Sequence, residues 1–141
     1  MSEKGAGRAG WRVILGVYLA LTALVVAWPN AWTVNRTVVR VWQIGVTNGW
    51  YDPSTFSPEA FATLLNVILF IPLVILAAAS FPRVPVWVWV LVAFVGSCLI
   101  EGGQLLGGVR DATYLDVISN TGGALIGALL VVVGRHLRHV G

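Results

Sequence analysis

Residues 60–80 read AFATLLNVILFIPLVILAAAS, with Thr63, Asn66 and Ser80 their only polar side chains. A run of about 20 apolar residues is what an α-helix needs to cross the hydrocarbon core of a bilayer. Three further runs approach that length: 12–28 behind Arg12, 84–100 opened by Val84-Pro85 and rich in Trp, and 115–134. The tight FPRVP connection at 81–85 predicts that the runs on either side of it are antiparallel neighbours. Strands are a poor alternative, because lipid tolerates no open sheet edge and these runs lack barrel-type alternation.

Composition carries the reading outward to the whole chain. The 141 residues suit one domain, 1–141; 57% are hydrophobic and only 11% charged, against about 25% charged in soluble domains. Mean hydropathy is +0.84. A water-soluble fold could not cover its surface with so few charges. The expected fold is therefore all-α, a polytopic membrane bundle of four transmembrane helices. The net charge of +3 does not point to nucleic acid, since the basic residues are dispersed and no groove-reading motif is present. The single cysteine, Cys98, excludes an intrachain disulfide and a multi-Cys zinc site, and its apolar surroundings predict a small buried hydrophobe. His136 and His139 lack a third ligand, so neither a metal nor a cofactor is expected.

The charges record topology. With the N-terminus cytoplasmic, Lys4, Arg8, Arg12, Arg83, Arg135 and Arg138 fall on one side, and Arg36, Arg40 and Arg110 on the other with Asp52, Glu59, Glu101, Asp111 and Asp116. That division satisfies the positive-inside rule and predicts both termini in the cytoplasm. A cleaved signal peptide is the alternative for the first run, but WPNAWT (28–33) offers bulky residues where cleavage wants small ones. Between the first two runs, Arg36, Arg40, Gln43 and Thr47 recur at helical spacing, with Val34, Val38, Val41, Trp42 and Gly45 on the other side. The pattern predicts a short amphipathic helix in the outer interface, with Trp32, Trp42 and Trp50 at headgroup level. GWYDPSTFSPE (49–59) then reads as turn chemistry, with Ser57-Pro58 opening the next helix.

The remaining question is what so apolar a chain does with the polar residues of SCLIEGGQLLGGVRDATYLDVISNTGGALIG, 97–127. Helical spacing puts Ser97, Glu101 and Gln104 on one face, and Asp116 and Asn120 on another with Gly123 and Gly127. Arg110 and Asp111 fall in the connection past Gly107-Gly108, where the helix should stop. Asn66, Glu101 and Asn120 are expected at comparable depth below the outer surface. An ionisable side chain facing lipid at the bilayer centre costs about 2.5 kcal/mol or more, so these groups should turn inward and pair. Arg110 offers a planar fork of donors to Glu101, Asp111 or Asp116. Gly122, Gly123 and Gly127 let helices approach closely, within the chain or against a second copy in a homo-oligomer.

These residues resemble the VanZ-like family of bacterial membrane proteins. The matching elements are NVILFIP from Asn66, S-x-x-x-E-x-x-Q as SCLIEGGQ, then Arg110, then D-x-x-x-N-T-x-G-A-x-x-G as DVISNTGGALIG, together covering about 60–134. The resemblance implies a small multi-span protein of the bacterial cytoplasmic membrane, and a link to low-level glycopeptide (teicoplanin-type) resistance.

Three functions are compatible with this pattern. The favoured one is an outer-facing pocket formed by Asn66, Glu101, Gln104, Arg110, Asp116 and Asn120, which binds or remodels an outer-leaflet lipid or a lipid-linked cell-envelope precursor. An intramembrane enzyme would use Glu101 and Asp116 as an acid/base pair on a headgroup, but neither an activated nucleophile nor a metal cluster accompanies them. A polar clasp in a purely structural partner protein needs only two or three such groups, fewer than are gathered here.

Overall fold

The computed structural model describes residues 3–26, 31–107 and 114–140. They form five helices and, among the described residues, no strand: α1 (Glu3–Val26), α2 (Ala31–Thr47), α3 (Pro58–Ser80), α4 (Val86–Gly107) and α5 (Tyr114–Val140). Three segments are long and apolar enough to cross a membrane, Pro58–Ser80, Val86–Leu106 and Tyr114–Arg138. The chain is thus a multi-pass membrane protein. Four spans were expected and three meet the criterion. The remaining one, 12–28, runs past Val26 into residues outside the described set, on a helix that begins with Glu3, Lys4, Arg8 and Arg12.

Helix α3 starts where the sequence requires it to. Ser57 is the N-cap, its hydroxyl accepting from the Ala60 amide at 3.2 Å, and Pro58 occupies the first turn, where no N–H is needed. Pro72 lies inside the helix and leaves the carbonyl four residues back without its usual donor. The adjacent carbonyl, that of Leu69, accepts from the Tyr18 hydroxyl of α1 at 2.7 Å. With Arg12 over the Phe81 ring at 5.1 Å, this contact makes α1 and α3 antiparallel.

Without a hydrophobic driving force between helices in lipid, their packing depends on close van der Waals approach. The centre of the bundle accordingly holds small residues, Ala78, Ala93 and Ala124, around Phe70, Val74 and Val86. Helix α3 shares its largest interface with α5 rather than with its sequence neighbour α4. A Cβ at Gly123 would strike the Val67 carbonyl, and one at Gly127 would lie 2.6 Å from the Ile71 carbonyl and 3.2 Å from Val74 Cβ. Glycine at both positions lets the two backbones touch. From Asp116 beside Asn66 to Arg135 beside Ala78, the contacts advance in the same direction along both helices, so α3 and α5 are parallel. Helix α4 returns antiparallel to both and packs mainly against α5. The helix ends bearing Arg12 and Arg135 therefore lie together at the C-terminal end of α3.

Helix α4 runs seven residues beyond the apolar run that predicted it, through Glu101 and Gln104 to Gly107. Hydropathy falls there, but the polar side chains of the extension are half-buried. Cys98 is exposed rather than buried. It follows Ser97, which faces α5, by about 100° around the helix, and so points outward. Large apolar side chains cover the lipid-facing surface, with Leu99 at 71% and Leu106 at 91% exposure.

Helix α2 forms as expected, with Arg36 and Arg40 exposed and with Val38, Trp42 and Gly45 turned toward the protein, although Val41 is exposed. It ends on Gly49 with φ +70°, the left-handed cap glycine supplies without steric cost. The chain then folds Tyr51 back onto Gly45, where a Cβ would collide with the ring; the Tyr51 hydroxyl donates to the Trp42 carbonyl at 2.8 Å. Trp42 Nε1 donates to the Phe56 carbonyl at 2.9 Å, and Tyr51, Phe56 and Phe61 pack ring to ring. Trp50 is exposed; the side chain of Trp32 lies outside the described residues.

Candidate functional site

At the end of the bundle opposite Arg12 and Arg135, three helices bring polar side chains together in two tiers. In the outer tier, Asn66 Nδ2 of α3 donates to Asp116 Oδ1 of α5 at 2.6 Å. One turn deeper, Asn120 Nδ2 of α5 donates to Ser97 Oγ of α4 at 2.6 Å. Asn66 and Asn120 were expected at one depth, but they belong to successive tiers with different partners.

The tiers follow from helix geometry. Asp116 and Asn120 are four residues apart on α5, Ser97 and Glu101 four apart on α4, and four residues rise about 6 Å. Because α4 and α5 are antiparallel, the Ser97–Asn120 bond sets Glu101 level with Asp116. Two carboxyl-bearing side chains thus share the outer tier. Both are half-buried and both take part in further interactions. Gln104 lies one turn nearer the surface, half-buried and making no hydrogen bond among the described residues.

Serines that sequence reasoning did not assign to the site hold its frame. Ser97 is 2% exposed and accepts from Asn120; Ser119 is 4% exposed, its hydroxyl donating to the Asp116 carbonyl at 3.0 Å. The i, i+4 relation of Ser97 to Glu101 was legible in the sequence; that Asn120 meets it was not. Thr121 likewise satisfies itself locally, donating to the Val117 carbonyl at 2.7 Å.

One atom in this layer lacks a partner. Asn120 Oδ1 is buried and accepts no hydrogen bond. Whichever way the amide is turned, only one of its two heteroatoms faces Ser97, so the other end remains unsatisfied. A buried unpaired polar atom costs about 1–3 kcal/mol, which a ligand or water donor would offset. Arg110 and Asp111, expected beside these groups, lie outside the described residues. Gly122 faces open space, a Cβ there meeting nothing within 4 Å, whereas Gly123 and Gly127 are both occupied by the contact with α3.

Beside this layer, α2 carries a second polar feature. Asn35, Arg36, Val39, Arg40 and Gln43 line a cavity of about 310 Å³. It presents two guanidinium groups on the exposed face of α2, away from the Trp42 and Gly45 face on which the following turn packs.

The sequence profile of the family described as VanZ/LLP1 matches residues 12–135. No curated protein and no solved structure matches the chain.

Proposed function

The chain belongs to the VanZ/LLP1 family, and from that premise we propose that it binds an outer-leaflet lipid, or a lipid-linked cell-envelope precursor, at the Asn66–Asn120 end of a four-span bundle. The observation that carries the reading is the buried, unpartnered Asn120 Oδ1 within a two-tier polar layer drawn from three helices. A clasp that only held helices together would close its own hydrogen bonds. Here two pairs already fix α3, α4 and α5, and among the described residues an amide oxygen and the Gln104 side chain are left over for something else.

Helix α1 is the fourth span in this reading. Between Trp11 and Val26 its only charge is Arg12, its outward face carries Val13, Val17, Leu21 and Leu24, and Tyr18 ties it to α3. Four spans put both termini on one side. The basic residues Arg8, Arg12, Arg83, Arg135 and Arg138 collect there, which by the positive-inside rule makes that side cytoplasmic and the polar layer outward-facing. Arg36 and Arg40 on α2, with Arg110 in the segment joining α4 to α5, then supply the cationic groups that a phosphate-bearing headgroup needs.

The test is retention of lipid by the purified full-length protein. Arg110→Ala and Gln104→Ala are expected to lose a polyprenyl-phosphate-linked sugar or a glycerophospholipid that the unaltered protein keeps through purification. Equal retention of every probe by all three proteins would remove the pocket from consideration. If the ligand proves to be the cell-wall precursor, expression of the protein should also shift glycopeptide susceptibility, and the same variants should abolish that shift.

A further inference from the structure

The opposite end of α3 and α5 has a feature that the proposed outer site does not use. The two helices, in backbone contact at Gly123 and Gly127, part toward their C-terminal ends and leave a groove of about 240 Å³. Ala78 and Ala79 of α3 and Gly134 of α5 keep it open, Ile75, Leu130 and Val131 form its apolar depth, and Arg135 and Arg138 stand at its mouth. Along α5, Arg135 lies about 28 Å from Asp116, close to the thickness of a hydrocarbon core. The groove therefore opens at the far headgroup layer from the polar tiers.

Two details set this groove apart from incidental surface. Gly134 is not needed for packing, since a Cβ there would meet nothing within 4 Å, in contrast to Gly123 and Gly127 on the same helix. The two arginines are also underused. Arg135 Nη2 donates to the Ala78 carbonyl at a long 3.4 Å, engaging one of five guanidinium donors. Arg138 is exposed, and neither arginine has a carboxylate partner among the described residues. The partial negative charges at the ends of α3 and α5 amount to about half a charge each, less than the two full positive charges beside them.

We infer that this groove holds the phosphate of an anionic membrane phospholipid, gripped by Arg135 and Arg138, with the start of an acyl chain along Leu130 and Val131. Paired guanidinium forks match phosphate oxygens in geometry, and basic pockets between helices at a membrane face are where anionic headgroups bind. The site stands independently of the outer pocket, because no residue is shared and the two lie at opposite membrane faces.

The experiment is native mass spectrometry of the full-length protein released from nanodiscs of phosphatidylglycerol or of phosphatidylcholine. The unaltered protein should retain phosphatidylglycerol preferentially, by about fivefold for each arginine. R135Q/R138Q should retain the two lipids equally. Gly134→Leu, which leaves both charges in place and whose Cβ has open space around it, should do the same by filling the groove, and it carries the test should the arginine pair prove necessary for folding. Arg83→Gln, at the same end but outside the groove, should keep the preference. Three outcomes would overturn the inference: preference intact in Gly134→Leu, preference lost equally in Arg83→Gln, or full displacement of the lipid by inorganic phosphate, which would assign the arginines to a free anion.

Discussion

Replacing Gly127 by alanine places a methyl group 2.6 Å from the Ile71 carbonyl oxygen and 3.2 Å from Val74 Cβ. Ordinary contact begins at 3.4 Å, so α3 and α5 must separate by about 0.8 Å. Backbone atoms cannot rotate away, and overpacking of this kind costs about 1–3 kcal/mol. Alanine recovers up to about 1 kcal/mol as a better helix former than glycine, which leaves a net loss of about 0–2 kcal/mol. Gly134→Ala on the same helix keeps the propensity gain and incurs no clash, so it should stabilise by up to about 1 kcal/mol. The two variants should therefore differ by about 1–3 kcal/mol in unfolding from mixed micelles, followed by helical circular dichroism. The same separation would stretch the Asn66–Asp116 bond from 2.6 Å to about 3.4 Å, past the usual range for N–H···O, so Gly127→Ala should weaken lipid retention at the outer site as well. Equal stability of Gly127→Ala and Gly134→Ala would refute the close-contact account of the α3–α5 interface.

Asn66→Leu should cost about 0.6–2 kcal/mol, the range for interhelical polar bonds in membranes, and a double-mutant cycle with Asp116→Ala should recover a coupling of similar size; additive effects would show that the 2.6 Å contact contributes nothing. Tyr18→Phe removes a hydroxyl bond from α1 to α3 and should cost about 1 kcal/mol, seen as faster proteolytic loss of the N-terminal helix while the α3–α5 unit persists. Ser80 is fully buried and its hydroxyl has no partner, so Ser80→Ala should be neutral or stabilise by up to about 1 kcal/mol. A clear loss of thermal stability in Ser80→Ala would mean that its Oγ is hydrogen-bonded after all.

Membrane character, the number of helices and the polar faces of α2, α4 and α5 were legible in the residues of this chain. Hydropathy over about 20 residues and i, i+4 spacing are local properties, fixed by a 3.6-residue turn whatever the rest of the chain does. Those two rules placed Ser97, Glu101 and Gln104 on one face and Asp116 and Asn120 on another and located the α2 helix, while cap and proline chemistry, equally local, marked the Ser57-Pro58 start of α3. The apolar run of α4 ended at Ile100, but the Gly107-Gly108 pair marked the helix stop, and α4 does end at Gly107. A helix whose polar residues turn toward neighbours need not end where hydropathy does.

What faces what was settled only by tertiary structure. Asn66 meets Asp116 and Asn120 meets Ser97 because α5 is parallel to α3 and antiparallel to α4, and because each helix is rotated to one particular phase about its axis. Rotation by one residue, about 100°, would have sent Ser97 to lipid and Cys98 to the interface. The same phase decides why three glycines on α5 differ, two pressed against α3 carbonyls and Gly134 open beside its arginines. Spacing along one helix is blind to such relations, since they arise from the fit between separate surfaces.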